Sequence, residues 1–337
     1  MNKYLLAILG ILLFTSHSLC QSTGNYRSDS IDLSNIREIQ VSLDTSKQVA
    51  DKPIHPFGAF TIYDVRFDTT QIGHYVSFTN ILYPLIRNYK INFNGGACQS
   101  LSQYLNNYFE NNFNNNKNDV VIFLKKLYII RKDTITTNES LNRNIGQINI
   151  QTEVFLRSGN TYYAAFKIDT SFIESFLTKK KEVAEEMKEN LLMPALKYLQ
   201  NKINTTDWEK VQKKKAFDET VVYENYFKNR FNLPILIQPY KRGVYRNFSE
   251  FVNNNPSITQ FKVIREKSRS VSLVDQNGNY ITTLQIFGFS DGQKCWIQRG
   301  NFCYPLIKSG NSFSFYLTFY SNLKLLYTVD MEKGDLL

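Results

Sequence analysis

Cysteine, histidine and tryptophan are all scarce in this chain. Its 337 residues include four cysteines, three histidines and two tryptophans. So few cysteines exclude a disulfide-held scaffold, and a chain of this length does not need one to form a core. Beyond residue 20 the histidines are His55 and His74, which lack the close spacing of zinc ligands. The phosphate-binding patterns G-x-x-x-x-G-K and G-x-G-x-x-G are also missing, so we expect no metal or other cofactor.

Only one long apolar run is present, and it lies at the N-terminus. Residues 1–3 include a lysine, residues 4–14 are apolar, and small polar residues follow. This pattern is typical of a secretory signal peptide and too short for a membrane span. We expect cleavage after Cys20, so that an exported mature chain begins at Gln21 and has no transmembrane helix. A lipoprotein anchored through Cys20 is the less favoured alternative, because Leu19 is bulky where lipoprotein processing prefers a small residue.

Positive charge is in excess, with a formal net charge of +10. Such a balance favours anionic partners, for example envelope phosphates or an acidic glycan. The cations are spread along the chain without an arginine-rich arm, and the protein is expected to be exported, so we expect no nucleic-acid partner. The basic triplet 213–215 is interpreted as a solvated helix face, with contact to an anionic surface as the alternative.

The residues after the leader begin with a polar segment, 21–55, and continue into a predicted α+β domain, 56–216. Apolar residues three and four apart predict a helix over 97–108, and the Gly159-Asn160 turn predicts a β-hairpin. A long amphipathic helix is expected over 171–201, either kinked or split in two at Pro194. Alternating and β-branched segments predict strands at 36–43, 57–67, 119–131, 146–156 and 161–168.

The last part, 217–337, is expected to be a mainly antiparallel β domain that forms a small barrel or sandwich. Short apolar segments alternate there with turn dipeptides that contain glycine. One short helix is predicted over 247–252, with Asn247 as its N-cap. The predicted fold class is therefore α+β, with a small α+β domain that carries a long helix and a β-rich domain after it. The turn dipeptides are Asn277-Gly278, Asp291-Gly292, Arg299-Gly300 and Ser309-Gly310.

Two residues are formal candidates for a catalytic nucleophile. Ser290 lies in a G-x-S-x-G pattern, but no histidine follows it and the next residues resemble a strand. We interpret this segment as a hairpin turn. Cys98 lies near the start of a predicted helix, with His74 as the nearest base in sequence, and is interpreted as a small buried side chain. The sequence therefore predicts no catalytic residue.

A disulfide is conceivable between Cys295 and Cys303. The two residues flank a predicted hairpin turn, and an oxidising compartment would bridge them if the turn placed them opposite each other. A shift of one residue in the strand register would point their side chains to opposite faces and leave two buried thiols.

One cluster is predicted as a binding patch, because it mixes aromatic rings with cations before a turn. Rings and cations together can hold a glycan or an extended protein segment by stacking and charge. The pairing of aromatic side chains within sheets is the alternative explanation for rings of this kind. The patch consists of Tyr240, Lys241, Arg242, Tyr245 and Arg246.

Two segments of the last third carry a resemblance. Residues 241–257, KRGVYRNFSEFVNNNPS, and 287–306, FGFSDGQKCWIQRGNFCYPL, resemble parts of uncharacterised secreted or envelope proteins of Bacteroidota. The resemblance implies an origin and an exported location, and it implies no reaction and no site.

The expected function is that of an exported, non-enzymatic protein of the cell envelope or the exterior. It would act by binding a protein or an anionic glycan. The alternative is a secreted hydrolase that acts on a glycan or a peptide, against which the lack of a coherent acid, base and nucleophile set argues.

Overall fold

The computed structural model describes residues 36–43, 57–79, 85–109, 118–133, 143–177, 182–265, 271–281, 286–300, 302–319 and 323–337. An eight-stranded mixed sheet, here called the main sheet, dominates the first two thirds of the chain. Its order is β1-β4-β3-β5-β6-β7-β8, and β2 pairs in parallel with β5. The strands are β1 (Arg37–Val41), β2 (Phe60–Asp64), β3 (Gly73–Thr79), β4 (Leu85–Phe93), β5 (Asn118–Asp133), β6 (Arg143–Ser158), β7 (Thr161–Leu177) and β8 (Ala216–Asp218).

The long strands β5, β6 and β7 form an antiparallel group at the centre and one side of the main sheet. Side chains of β5 alternate between the two faces, so that Ile122 and Leu124 enter one core while Val121 and Phe123 enter another. The predicted strand over 119–131 and the hairpin at Gly159, whose φ is 58°, are confirmed. Their strong alternation explains why the sequence predicted them well.

Helices cover one face of the main sheet, which we call the helix-covered face. Apolar residues of these helices, among them Leu105, Leu191 and Leu199, pack on Ile122 and Ile150. The helices are α1 (Ala97–Phe109), α2 (Val183–Met187), a π-helical turn (Lys188–Leu192), α3 (Met193–Asn204) and α4 (Trp208–Gln212).

The long helix expected over 171–201 was predicted wrongly at its start. Residues up to Leu177 extend β7 and pair with the beginning of β6, and helical structure begins at Val183. Pro194 lies in the first turn of α3, directly after the π-helical turn, where a proline needs no intrahelical N–H bond. The helix therefore continues through Pro194.

The last part of the chain forms three small antiparallel sheets in its described residues. The first is β10–β11, the second has the order β14-β13-β12-β9, and the third has the order β15-β16-β17. The four-stranded and three-stranded sheets share one core. Tyr245 and Ile297 of the first sheet lie in the same apolar cluster as Phe313 and Phe315 of the second. The strands are β9 (Gly243–Tyr245), β10 (Phe261–Arg265), β11 (Val271–Asp275), β12 (Gly288–Ser290), β13 (Cys295–Arg299), β14 (Phe302–Pro305), β15 (Ile307–Ser309), β16 (Ser312–Phe319) and β17 (Leu323–Thr328).

Short helices lie between β8 and β9, and one more lies between β9 and β10. Asn247 caps the last helix as predicted, because its side chain accepts a hydrogen bond of 2.9 Å from the Glu250 N–H. The helices are α5 (Glu219–Tyr223), a π-helical segment (Glu224–Asn229), α6 (Pro234–Ile237) and α7 (Phe248–Val252). Taken together, the described residues form a mixed α+β fold.

The segment that follows residue 216 packs on the main sheet, on the face opposite the helix-covered face, here called the outer face. The Tyr226 ring stacks on Phe123 at 4.0 Å, and Val222 joins the same cluster. The predicted domain boundary between 56–216 and 217–337 stays a prediction, although the chain beyond it contributes to the packing of the first part.

Candidate interaction edge of the main sheet

The strand β7 has a neighbour along its whole length on one side only. Its first three residues, Thr161 to Tyr163, pair with β8, whereas the rest of the strand pairs with β6 alone. In the described part of the chain, no second strand pairs with residues 166–177. At about 3.3 Å per residue this open edge, here called the β7 edge, is roughly 40 Å long. Its outward backbone groups form a template for another strand.

Lys214 binds backbone carbonyl groups of β7 just before the β7 edge begins. The Lys214 ammonium donates hydrogen bonds to the carbonyl oxygens of Ala164 at 2.9 Å and Ala165 at 3.1 Å. Lys214 follows α4, in the segment that returns the chain to the sheet as β8. These carbonyl groups are therefore satisfied by a side chain, and the unoccupied edge begins beyond them.

On the outer face, the far end of the β6–β7 pair exposes two large apolar side chains. Ile173 is 65% exposed and Ile145 is 46% exposed. Gln147 is the partner of Ile173 across the pair and Ser175 is the partner of Ile145, so both isoleucines point to the same face. An exposed apolar pair beside an open edge is a feature of protein-binding surfaces.

On the helix-covered face, aromatic residues lie beside the same edge. The Phe172 ring lies 5.7 Å from the Tyr198 ring of α3 in an edge-to-face arrangement. The Lys202 ammonium lies 5.6 Å from the centre of the Tyr198 ring. Tyr198 is 37% exposed, so this shelf remains accessible next to β7.

Acidic side chains occupy both faces of the β7 edge. Asp169 lies on the outer face, where its carboxylate is 60% exposed and 3.8 Å from the Lys333 ammonium. Glu174 is exposed on the other face and has no ion pair among the described residues. Lys167, the one cation of residues 166–177, binds Glu153 at 2.9 Å. Residues 166–177 therefore carry two carboxylates against one paired lysine, with Lys333 and Lys202 as neighbouring cations, in an otherwise basic protein.

Glu153 belongs to a charged cluster that covers the outer face beside the edge. It accepts hydrogen bonds from Tyr226, Lys167 and Lys125 at 2.5, 2.9 and 3.2 Å. Burial by itself would raise the pKa of the Glu153 carboxyl, but these three donors together hold it below its usual value. Glu153 is thus a satisfied structural carboxylate, and the free charges are those of the edge.

The predicted binding patch is not a continuous surface. Tyr245 is completely buried in the shared core, and its hydroxyl donates to the Asn254 side chain at 2.9 Å. Tyr240 is partly buried against the same core. Tyr245 lies in β9, whose residues are all buried, which the ring-and-cation composition does not show.

The cations of the predicted patch are its most accessible members. Lys241, Arg242 and Arg246 are exposed. The Arg242 guanidinium already lies over the Phe261 ring at 5.1 Å and donates to the Phe261 carbonyl at 3.0 Å. The Arg242 side chain thus stabilises the fold next to β9, and the predicted patch stays a prediction.

Of the two alternatives for Cys295 and Cys303, the structure has the second, in which both residues are free, buried thiols. In the β13–β14 register, Gln298 lies opposite Cys303, so Cys295 points to the other face of the sheet. Cys295 packs in the shared core with Tyr245, whereas Cys303 packs with Phe289. Burial raises the pKa of each thiol to about 12, which leaves both unreactive at neutral pH.

The candidate nucleophiles have no catalytic surroundings. Ser290 is fully buried, and its hydroxyl accepts the Gly292 N–H at 3.0 Å within a turn. Burial and the nearby Asp64 raise the pKa of the half-buried Cys98 thiol. His74 is buried against Tyr128, and burial, with the Lys132 charge, lowers its pKa to about 3. The position of Ser290 agrees with its interpretation as part of a turn, whereas Cys98 is only half-buried and not fully buried as interpreted.

The described residues contain no group of histidine, cysteine or acidic side chains arranged to hold a metal ion. None of the helices in those ranges combines the length and the apolar character of a membrane span. The expected signal peptide, with Cys20 and Gln21, lies outside the described residues.

Comparison with known proteins gives no relative. No protein-family model, no curated protein and no solved structure matches this chain.

Sequence reasoning missed this edge. Phe172 and Phe176 are four residues apart, which fits a helix face as well as one face of a strand. The available signal was the β-branched and aromatic composition of 168–173, which continues the pattern of the preceding hairpin strand.

Proposed function

We propose that this is an exported, non-enzymatic protein that binds a protein partner by adding a strand to the β7 edge. The observation that carries the proposal is the long edge at residues 166–177, which has a pairing partner on one side only. Main-chain hydrogen bonds supply much of the affinity in strand addition, and neighbouring side chains supply specificity. The exposed Ile173 and the Phe172–Tyr198 shelf are surfaces of that kind.

The cell envelope of a Bacteroidota-like bacterium is the location we propose. Its support is the signal-peptide pattern before Gln21 and the resemblance of 241–257 and 287–306 to envelope proteins. We further interpret the four-stranded and three-stranded sheets with their shared core as a small sandwich. The hydrolase alternative gains no support from the buried Ser290 or from Cys98.

An anionic glycan is a second candidate ligand, favoured by a different surface. Lys210, Lys213 and Lys215 are exposed on and after α4. A glycan held there by charge would dissociate as salt rises, because surface ion pairs are screened. Glycan binding that is insensitive to salt, or unaffected by Lys213→Glu with Lys215→Glu, would remove this candidate.

Site-specific photo-cross-linking in cells tests the strand-addition proposal. A photoreactive residue at Ile173 should trap a defined protein, whereas the same residue at Tyr280, which is 69% exposed on another part of the chain, should not. Cross-linked partners would be identified by mass spectrometry. Equal trapping from both positions would count against the β7 edge.

Two proline variants form a matched pair for the same experiment. Successive residues of an antiparallel strand direct their N–H groups to opposite sides, so Thr170→Pro and Ser171→Pro remove one inward and one outward donor. The variant that loses the outward donor should keep its melting temperature and lose the partner. If the variant that stays folded still traps the partner from position 173, strand addition is wrong.

A further inference from the structure

The side chains of the β7 edge restrict which extended segment fits there, an argument that rests on the proposed strand addition. In an antiparallel or parallel pair, residues directly opposite each other point to the same face and lie close enough to interact. Each exposed side chain of β7 therefore selects the residue opposite it. Four positions have a clear preference: Asp169, Phe172, Ile173 and Glu174.

Two of these positions lie on the helix-covered face. Phe172 belongs to the shelf with Tyr198, so an added strand would place its opposing side chain against aromatic carbon. Glu174 lies two residues further along the same face and has no ion pair among the described residues. This face thus favours an apolar residue followed, two positions away, by a cation.

The other two positions lie on the outer face. Ile173 is 65% exposed, with Ile145 on the neighbouring strand, and favours an apolar, β-branched residue opposite it. Among the described residues Asp169 forms one ion pair, with the Lys333 ammonium at 3.8 Å, and both side chains are more than half exposed. So distant and exposed a pair leaves the carboxylate open to a second cation.

We infer that the partner is an extended protein segment with two basic residues five positions apart and an apolar pair between them. The odd spacing is required because Asp169 and Glu174 point to opposite faces of the sheet. An antiparallel strand would carry Lys-Val-Ile-Thr-Thr-Lys opposite residues 174 to 169. A parallel strand would carry the reverse order.

A second copy of this chain fits less well. Antiparallel pairing of two β7 edges would bring Asp169 and Glu174 of one copy near the same acidic residues of the other. Like charges across a strand pair are destabilising. The charge of the edge therefore favours a separate, basic partner.

Synthetic peptides of roughly twelve residues, long enough to follow the edge, test this inference by fluorescence anisotropy. Two of them would have Lys-Val-Ile-Thr-Thr-Lys or its reverse at the centre. Two controls would have the same central sequences with both lysines replaced by glutamate, or with the second lysine moved by one position. The lysine peptide in one of the two directions should bind about tenfold more tightly than the glutamate peptide, since two attractive pairs replace two repulsive ones. The spacing control should lose most of this advantage.

The double variant Asp169→Lys with Glu174→Lys should reverse the preference and bind the glutamate peptide more tightly. Circular dichroism and the melting temperature confirm that it is folded. If both peptides bind this variant and the natural protein equally, or if neither binds, the inferred charge pattern is wrong. The cross-link from position 173 decides separately whether the β7 edge is a binding site.

Self-association is measured on the same samples by analytical ultracentrifugation. A monomer is the expected result. A dimer that disappears in the folded proline variant would show that a second copy, and not a basic segment, occupies the edge.

Discussion

His74 is part of a row of buried polar groups that joins the main sheet to β17. Its Nδ1 lies 3.1 Å from the Tyr128 hydroxyl, which donates to the Thr328 hydroxyl at 3.2 Å. The Ser314 hydroxyl lies 3.1 Å from the same Thr328 oxygen. These bonds satisfy hydroxyl groups that would be costly to bury alone.

The burial of His74 makes the stability of the protein depend on pH. Its pKa in the folded state is about 3, lowered by burial and by Lys132, whereas an unfolded histidine titrates near 6.5. As the pH is lowered, His74 therefore takes up a proton in the unfolded state before it does so in the folded state, and its full contribution to stability is present only above about pH 6.5. As the pH falls from about 6.5 towards about 3, the free energy of unfolding should fall by up to about 1.4 kcal/mol per pH unit.

His74→Gln should remove this part of the pH dependence, because an amide does not titrate. Urea unfolding at pH 7, 6 and 5 measures the slope, in a range above the titration of most carboxylates. The natural protein should lose stability over this range more steeply than the variant. Parallel curves for the two proteins would contradict a neutral, buried His74.

At the scale of elements, the π-helical turn Lys188–Leu192 lies very close to the start of β6. Gly146 is buried there, and a Cβ atom at this position would lie 2.6 Å from Leu191 Cδ1 and 3.0 Å from Cδ2. Leu191 is itself completely buried. The helix can approach the strand this closely only because residue 146 has no side chain.

Gly146→Ala should therefore destabilise the protein by about 1–3 kcal/mol, since the Leu191 side chain must move within a packed core. Ile145→Ala is the matched control, because the neighbouring residue points to the outer face and is 46% exposed. It should change the free energy of unfolding by less than about 0.5 kcal/mol. Equal effects of the two changes in urea unfolding would show that the π-helical turn does not pack on this part of β6.

The same region shows where prediction from sequence reaches its limit. Turn glycines and the Asn247 cap are local signals, so the hairpins and α7 follow from neighbouring residues. Residues 171–177 have no such signal, and their pairing with 143–149 decides that they form a strand. The positions of Cys295 and Cys303 likewise depend on a register that the sequence leaves open. An open edge cannot be predicted from a strand's own residues, because it depends on the order of strands in the sheet.

At the scale of the whole molecule, the C-terminal turn connects the small sheets to the main sheet. Asp330 is buried and forms an ion pair with Lys126 of β5, while Arg230 binds Glu332 at 2.5 Å. The Asn88 side chain of β4 donates to the Lys324 carbonyl of β17 at 2.6 Å. Since partly buried ion pairs leave an uncompensated charge when one partner is removed, these contacts should couple the unfolding of the two parts.

The two tryptophans allow this coupling to be measured, because each reports on one part. Trp208 is buried in the core of the main sheet, and Trp296 stacks on Phe289 in the four-stranded sheet. In the Trp296→Phe variant, fluorescence of Trp208 follows the unfolding of the main sheet. In the Trp208→Phe variant, fluorescence of Trp296 follows the unfolding of the small sheets. In both backgrounds the urea midpoints should coincide, as expected for cooperative unfolding.

Asp330→Ala combined with Arg230→Ala should separate the two midpoints, with the small sheets unfolding at the lower urea concentration because they bury the smaller core. The exposed pair Lys228 and Glu224, 3.9 Å apart on a helix, gives the control: Glu224→Ala should leave the midpoints together. If the midpoints already differ in the natural protein, the two parts unfold independently and the ion pairs at Asp330 and Glu332 do not couple them. If they stay together in the double variant, the coupling resides in the apolar contacts and in the Asn88 bond to β17.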